Sequence, residues 1–166
     1  MPYDLDSDGE RRMKIVPMQG VGEFSFGDNY SVIKGKLDST FESFKLVLWN
    51  KYNSDISDSL GIVLSYDDEG NLETVVINKP QNVEIFGTTL CNVGVKQFIS
   101  IVKKEGYTFI KDKTDGGCYF NDDLGMNFTY KGDKIDTIEV YAGMYMDMRE
   151  KQRIKMKKFY EEQGIV

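Results

Sequence analysis

A nine-residue pattern occurs twice in this chain, and it limits the folds open to the sequence more than any other feature. Asp58-Ser59-Leu60-Gly61-Ile62-Val63-Leu64-Ser65-Tyr66 returns as Asp122-Asp123-Leu124-Gly125-Met126-Asn127-Phe128-Thr129-Tyr130, so both copies read D-x-L-G-x-x-[LF]-[ST]-Y. Beyond a turn, Leu72-Glu73-Thr74-Val75 matches Ile135-Asp136-Thr137-Ile138. Upstream, Ser25-Phe26-Gly27 and Ile85-Phe86-Gly87 each close a short apolar stretch ahead of a helix-like segment. Matches in the same order indicate two copies of a unit of about 60 residues.

Each unit reads as β-α-β-β-β. In the first, Glu23 to Phe26 is a short strand, and Asp28 is placed to cap a helix with Tyr30, Ile33 and Leu37 on one face. Phe44 to Trp49, Leu60 to Tyr66 and Leu72 to Asn78 follow as strands, the last two joined by the turn Asp67-Asp68-Glu69-Gly70-Asn71. In the second, Val83 to Phe86 precedes a helix beginning at Thr88 or Thr89 and ending near Glu105, with Val95, Phe98, Ile99 and Val102 as its apolar stripe. Strands follow near Tyr107 to Ile110 or Cys118 to Phe120, then at Leu124 to Tyr130 and Ile135 to Tyr141. The expected fold is α+β: repeats at 13–80 and 81–143 form an antiparallel sheet with helices on one face. A flexible acidic tail at 1–12 precedes them and a C-terminal helix at 144–166 follows. The basic residues of that helix leave three placements open: on the surface, against the acidic body, or on a partner.

Composition narrows the chemistry. Histidine is absent, which removes Ser-His-Asp and Cys-His catalysis and His-ligated zinc. A net charge of -6 disfavours nucleic acid and favours basic partners. No apolar run reaches membrane-spanning length and the N-terminus is not signal-like, so the chain reads as cytoplasmic. Cys91 and Cys118 read as reduced, buried thiols.

Candidate sites each have a plainer reading. Asp4-Leu5-Asp6-Ser7-Asp8-Gly9 opens like a calcium loop, but Ile15 stands where the closing glutamate belongs, so no metal or other cofactor is expected. Asp58 and Asp122 recur at equivalent places, which suits a paired-carboxylate site less well than an Asx-turn setting strand entry. No phosphate-binding glycine loop is present.

Strand parity supplies the functional expectation. With Leu60, Ile62, Leu64 and Tyr66, and Leu124, Met126, Phe128 and Tyr130, on the core face, the open face carries Val63, Ser65, Asn127 and Thr129. Phe44, Leu46 and Leu48 are read as inward, leaving Lys45, Val47 and Trp49 outward. Cys118 and Phe120 inward leaves Tyr119 outward, and Tyr141 also falls on the open side. Aromatics among small polar residues suit a protein-binding face with Trp49, Tyr119 and Tyr141 as anchors. Asp67, Asp68, Glu69, Asp122 and Asp123 form its acidic rim. The competing expectation is that the terminal helix covers this face.

The pattern I-x-P-x-x-G-V-G-x-x-x-F-G, from Ile15 to Gly27, and the tandem helix-on-sheet plan resemble small bacterial immunity and inhibitor proteins of the β-lactamase inhibitory protein type. That resemblance covers residues 15–143 and implies a non-enzymatic protein that binds and blocks a toxin or enzyme. An acidic inhibitor suits a basic nuclease because charge complementarity speeds association. The alternative is a small-molecule-binding α+β domain with a pocket between sheet and helices.

Overall fold

The computed structural model describes residues 3–5, 11–113 and 117–165. In chain order the elements are β1 (Tyr3–Leu5), β2 (Arg11–Val16), β3 (Gly20–Val21), β4 (Phe24–Ser25), α1 (Tyr30–Lys34), β5 (Phe41–Phe44), β6 (Ser54–Ser57), β7 (Ile62–Tyr66) and β8 (Leu72–Ile77). They continue with β9 (Val83–Ile85), β10 (Thr88–Thr89), α2 (Val95–Lys104), β11 (Ile110–Asp112), β12 (Cys118–Asn121), β13 (Met126–Lys131), β14 (Lys134–Tyr141) and α3 (Tyr145–Glu162). The fold is α+β. An antiparallel eight-stranded sheet runs in the order β11-β12-β13-β14-β8-β7-β6-β5. A smaller sheet, β10-β9-β2-β3-β4 with β1 on β2, contains one parallel pair, β2 with β9.

The large sheet is symmetric in order about the β14–β8 pair, and the local geometry on the two sides matches closely. The β7–β8 and β13–β14 hairpins share a register shift, between Ser65 and Tyr66 in one and Thr129 and Tyr130 in the other. Gly61 and Gly125 precede them at φ +70° and +68°, a left-handed conformation that glycine adopts without strain. The Gly61 N–H donates to the Ser57 carbonyl, as Gly125 does to Asn121. At the helices, the Tyr30 N–H donates to the Gly70 carbonyl at 2.6 Å and the Val95 N–H to the Asp133 carbonyl at 2.9 Å, so each helix start is tied to a hairpin turn.

Period-two alternation directs Ile62, Leu64, Val75, Ile77, Met126, Phe128, Ile138 and Val140 to one face, where they meet Ile33 of α1, Phe98 and Val102 of α2, and Met13, Val21 and Phe24 of the small sheet. Phe98, Phe109 and Phe128 pack edge-on or tilted at centroid separations of 4.9 to 5.6 Å. The opposite face of the sheet carries α3 over a second apolar cluster of Cys118, Tyr141 and Tyr145, with Phe120 and Met148 against it.

Several elements depart from the sequence reading. The strand expected at 44–49 ends at Phe44. Its parity is set by Phe41, which packs edge-on against Phe24 at 5.9 Å, so Phe44 points to the other face. Residues 45–53 form the connection to β6, a strand not anticipated because its sequence, Ser54-Asp55-Ile56-Ser57, lacks apolar alternation. Asp55 is nonetheless buried, because it pairs with Lys34 and accepts a 2.6 Å hydrogen bond from the Tyr66 hydroxyl. Asn29 rather than Asp28 caps α1, accepting from the Ser31 N–H at 3.2 Å. The second helix begins at Val95, and Thr88–Thr89 forms a short strand instead. In the expected tail, Tyr3–Leu5 pairs with Arg11–Met13. Asp6, Asp8 and Gly9 of the calcium-like run lie outside the described residues.

Candidate functional site

α3 is built to lie on the open sheet face. Its half-buried and buried positions, Tyr145, Met148, Arg149, Gln152, Lys155, Met156, Phe159 and Tyr160, recur at three- and four-residue spacing and so form one stripe. Arginine, glutamine and lysine share that stripe with apolar residues, so hydropathy alone does not display it. Two of its polar members reach the acidic body, Arg149 pairing with Asp112 and Lys155 with Asp68, each at 2.7 Å, and the exposed Lys151 beside the stripe lies 3.6 Å from Glu73. The hydrogen bond and charge of Lys155 hold Asp68 below the usual carboxylate range. At the helix start Asp122 accepts a 2.8 Å bond from the Tyr145 N–H, satisfying one of the donors a helix leaves open.

This covering changes the roles of the expected anchors. Trp49 is half-buried, packs against Phe159 and Tyr160 at 6.5 and 6.2 Å, and donates from Nε1 to Gln152. Tyr141 does lie on the open side, yet it is fully buried under α3, with its hydroxyl 3.3 Å from the Met126 carbonyl. Burial, reinforced by Asp122, pushes that phenol's pKa well up. Tyr119 is on the core side, stacked on Phe128 at 5.2 Å, whereas Cys118 and Phe120 face α3. The parity reading failed here because apolar layers cover both faces of β12, so apolarity no longer identifies the inner one.

The acidic rim is divided as well. Asp67 accepts from the Glu69 and Asn71 N–H groups, each at 2.9 Å, and shapes the β7–β8 turn. Asp68 and Asp122 hold α3, while Glu69 and Asp123 are exposed. The turn-setting role expected of Asp58 and Asp122 is filled one residue earlier: Ser57 Oγ accepts from the Leu60 N–H at 3.3 Å and Asn121 Oδ1 from the Leu124 N–H at 2.8 Å. Cys91, expected to be buried, is exposed. Among the described residues, no group of three or more His, Cys, Asp or Glu side chains is placed to hold a metal ion. Among them too, no helix is long and apolar enough to cross a membrane.

Two features take the place of the flat aromatic face. The first is an exposed apolar run: Phe44, Leu46 and Leu48 are 49%, 56% and 60% exposed, at alternate positions following β5, the strand that ends the sheet order. Their apolar alternation reads as core in the sequence, and the structure leaves all three side chains in solvent. The second is a cleft of about 720 Å³ between α3 and the strands β6, β7, β8 and β14. Val63, Val76, Ile56 and Met148 supply apolar wall, and Glu73, Glu139, Thr74, Ser65 and Asn50 supply oxygen acceptors. Glu139 Oε1 accepts a 2.8 Å bond from Asn127. Burial raises the pKa of this carboxyl, the charge of Glu73 adds to the rise, and the Asn127 bond opposes it. No sequence signal marked these residues, because the cleft exists only where α3 stands off from the sheet.

No protein-family model matches the chain, and no curated protein or solved structure is significantly similar to it.

Proposed function

We propose that this is a non-enzymatic protein-binding module, an immunity or inhibitor protein that neutralises a bacterial toxin by direct contact. The observation that carries this reading is the exposed run Phe44, Leu46 and Leu48 beside the terminal strand β5. Three large apolar side chains in water at alternate positions are unfavourable for an isolated protein and suited to a partner that adds contacts along a sheet edge. The net charge of -6 favours a basic partner such as a nuclease toxin. Intracellular neutralisation would place the protein in the cytoplasm.

We also infer that the sheet arose by duplication, with copies at 13–80 and 81–143 that each give the large sheet four strands after the helix, β5–β8 and β11–β14, in place of the three of the expected β-α-β-β-β unit. The matched register shifts, left-handed glycines and helix-to-turn hydrogen bonds support it. α1 is half the length of α2, and the exposed apolar run belongs to the first copy alone, so the contact surface is a specialisation of one unit.

The test compares the wild-type chain with Leu46→Asp and Leu48→Asp in pull-downs from lysate of the source cell. The captured protein is then assayed for toxicity or enzymatic activity with each chain added back. The reading requires a captured protein whose activity is blocked by wild type and not by the variants. Equal blocking by all three chains would remove the contact surface, and a captured protein without activity would remove the inhibitor role.

A further inference from the structure

The cleft under α3 shares Leu46 with the exposed apolar run, but most of its lining comes from the open sheet face and α3. Its volume of about 720 Å³ is that of a small-molecule site. Its charged groups are two carboxylates and one arginine, beside amides and hydroxyls that can donate as well as accept. Glu73 and Glu139 project into it from adjacent strands, β8 and β14, and are close enough for the charge of one to bear on the other. Asn50 Oδ1, on the loop that forms one wall, is buried without a hydrogen-bond partner, an arrangement that costs free energy unless something donates to it. Arg149, the cation in the lining, is already engaged by Asp112, while Glu73 has only the exposed Lys151, 3.6 Å away, to displace. An anion would meet two carboxylates here, and a neutral apolar molecule would leave the acceptors unpaired.

We propose that this cleft binds an organic cation, a primary ammonium ion on a short apolar body, with the ammonium donating to Glu139 and Glu73 and the body lying along Val63, Val76 and Met148. An ammonium has three donors and no acceptor, which matches a site lined by two carboxylates and an amide oxygen without a partner. The charge-assisted bonds supply most of the selectivity, and the valine wall supplies burial of the alkyl chain.

The probe is n-hexylammonium, with n-hexanol and hexanoate as neutral and anionic controls of the same chain length. Binding is followed by calorimetry and by the emission of Trp49, the single tryptophan, whose indole bonds the cleft residue Gln152. Saturable binding of hexylammonium is expected, with hexanol weaker by roughly tenfold or more and hexanoate not bound. Glu139→Gln and Glu73→Gln should each weaken hexylammonium by roughly tenfold while leaving hexanol unchanged. The Glu73 side chain keeps 22% of its surface exposed, so its variant remains informative should the Glu139 change perturb the fold. Equal binding of hexanol and hexylammonium, binding untouched by both substitutions, or no saturable binding would each overturn the proposal. None of these results depends on a protein partner.

Discussion

Trp49 and Gln152 stand 103 positions apart in the chain and are joined by a 2.9 Å hydrogen bond from the indole Nε1–H to the amide Oε1. That bond fastens the connection after β5 to the middle of α3, so the exposed apolar run and the helix over the sheet are one mechanical assembly. Gln152→Ala should leave the indole donor unpartnered at a cost of about 0.5 to 1.5 kcal/mol. The expected readouts are a red shift of tryptophan emission and faster proteolysis within α3, with the circular dichroism of the sheet unchanged. Unchanged emission would mean that Trp49 is held by Phe159 and Tyr160 alone.

Asp122 is the second fastening. Its Oδ1 takes the Tyr145 N–H at 2.8 Å and lies 3.4 Å from the Tyr141 hydroxyl, which joins the strand entry, the end of β14 and the start of α3. Asp122→Ala should cost about 1 to 2 kcal/mol, the usual price of a lost helix cap, in chemical denaturation. Asp122→Asn keeps an oxygen acceptor and should lose less. Equal losses for Ala and Asn would show that the charge matters and not the cap.

The paired glycines separate two kinds of strain. A Cβ on Gly125 would come within 2.2 Å of the Tyr141 carbonyl oxygen, which is backbone and cannot yield, whereas one on Gly61 would meet Lys79 Cγ at 2.5 Å, which can rotate away, and Lys79 Cβ at 2.6 Å, which moves only with its backbone. Both positions have left-handed φ, so each alanine carries roughly 1 to 2 kcal/mol of conformational cost. Gly125→Ala should cost more than Gly61→Ala, because its unyielding contact is closer, 2.2 Å to backbone oxygen against 2.6 Å to Lys79 Cβ. Comparable melting temperatures for the two variants would show that the strands part at Tyr141 without resistance.

What the sequence displayed depended on how many faces of each strand were buried. The hairpins were legible because Leu64 and Phe128 alternate with polar neighbours and the turns carry glycine. β6 was not, because Asp55 is buried by an ion pair with Lys34 and a bond from Tyr66, and a buried acid does not resemble a core residue in a sequence. Tyr119 was misplaced for the opposite reason, apolar residues being wanted on both sides of β12. The covering of the open face turned on α3, whose stripe mixes Arg149, Gln152 and Lys155 with Met148 and Phe159. The cleft, formed by the stand-off between that helix and the sheet, leaves no local pattern at all.

Glu139 gives the fold a pH signature whose sign can be worked out. Burial holds its carboxyl above the ordinary value of 4.5, so between that value and the folded one the native state keeps a proton that the unfolded chain has released. Stability therefore falls as pH rises through this window, and above it the charged Glu139 is a net cost to the fold. Asp68 works in the opposite direction, since its pairing with Lys155 stabilises the fold at neutral pH and is lost on acidification. Comparing wild type with Glu139→Gln cancels the Asp68 contribution, which both proteins share. At pH 7 the glutamine variant should melt at the higher temperature, because it keeps a polar partner for Asn127 without a buried charge beside Glu73. The gap should narrow as pH is lowered towards 4.5, where the wild-type side chain takes up its proton. A gap that stays constant across the range, or a variant less stable at pH 7, would mean that Asn127 and the cleft stabilise the carboxylate more than burial opposes it.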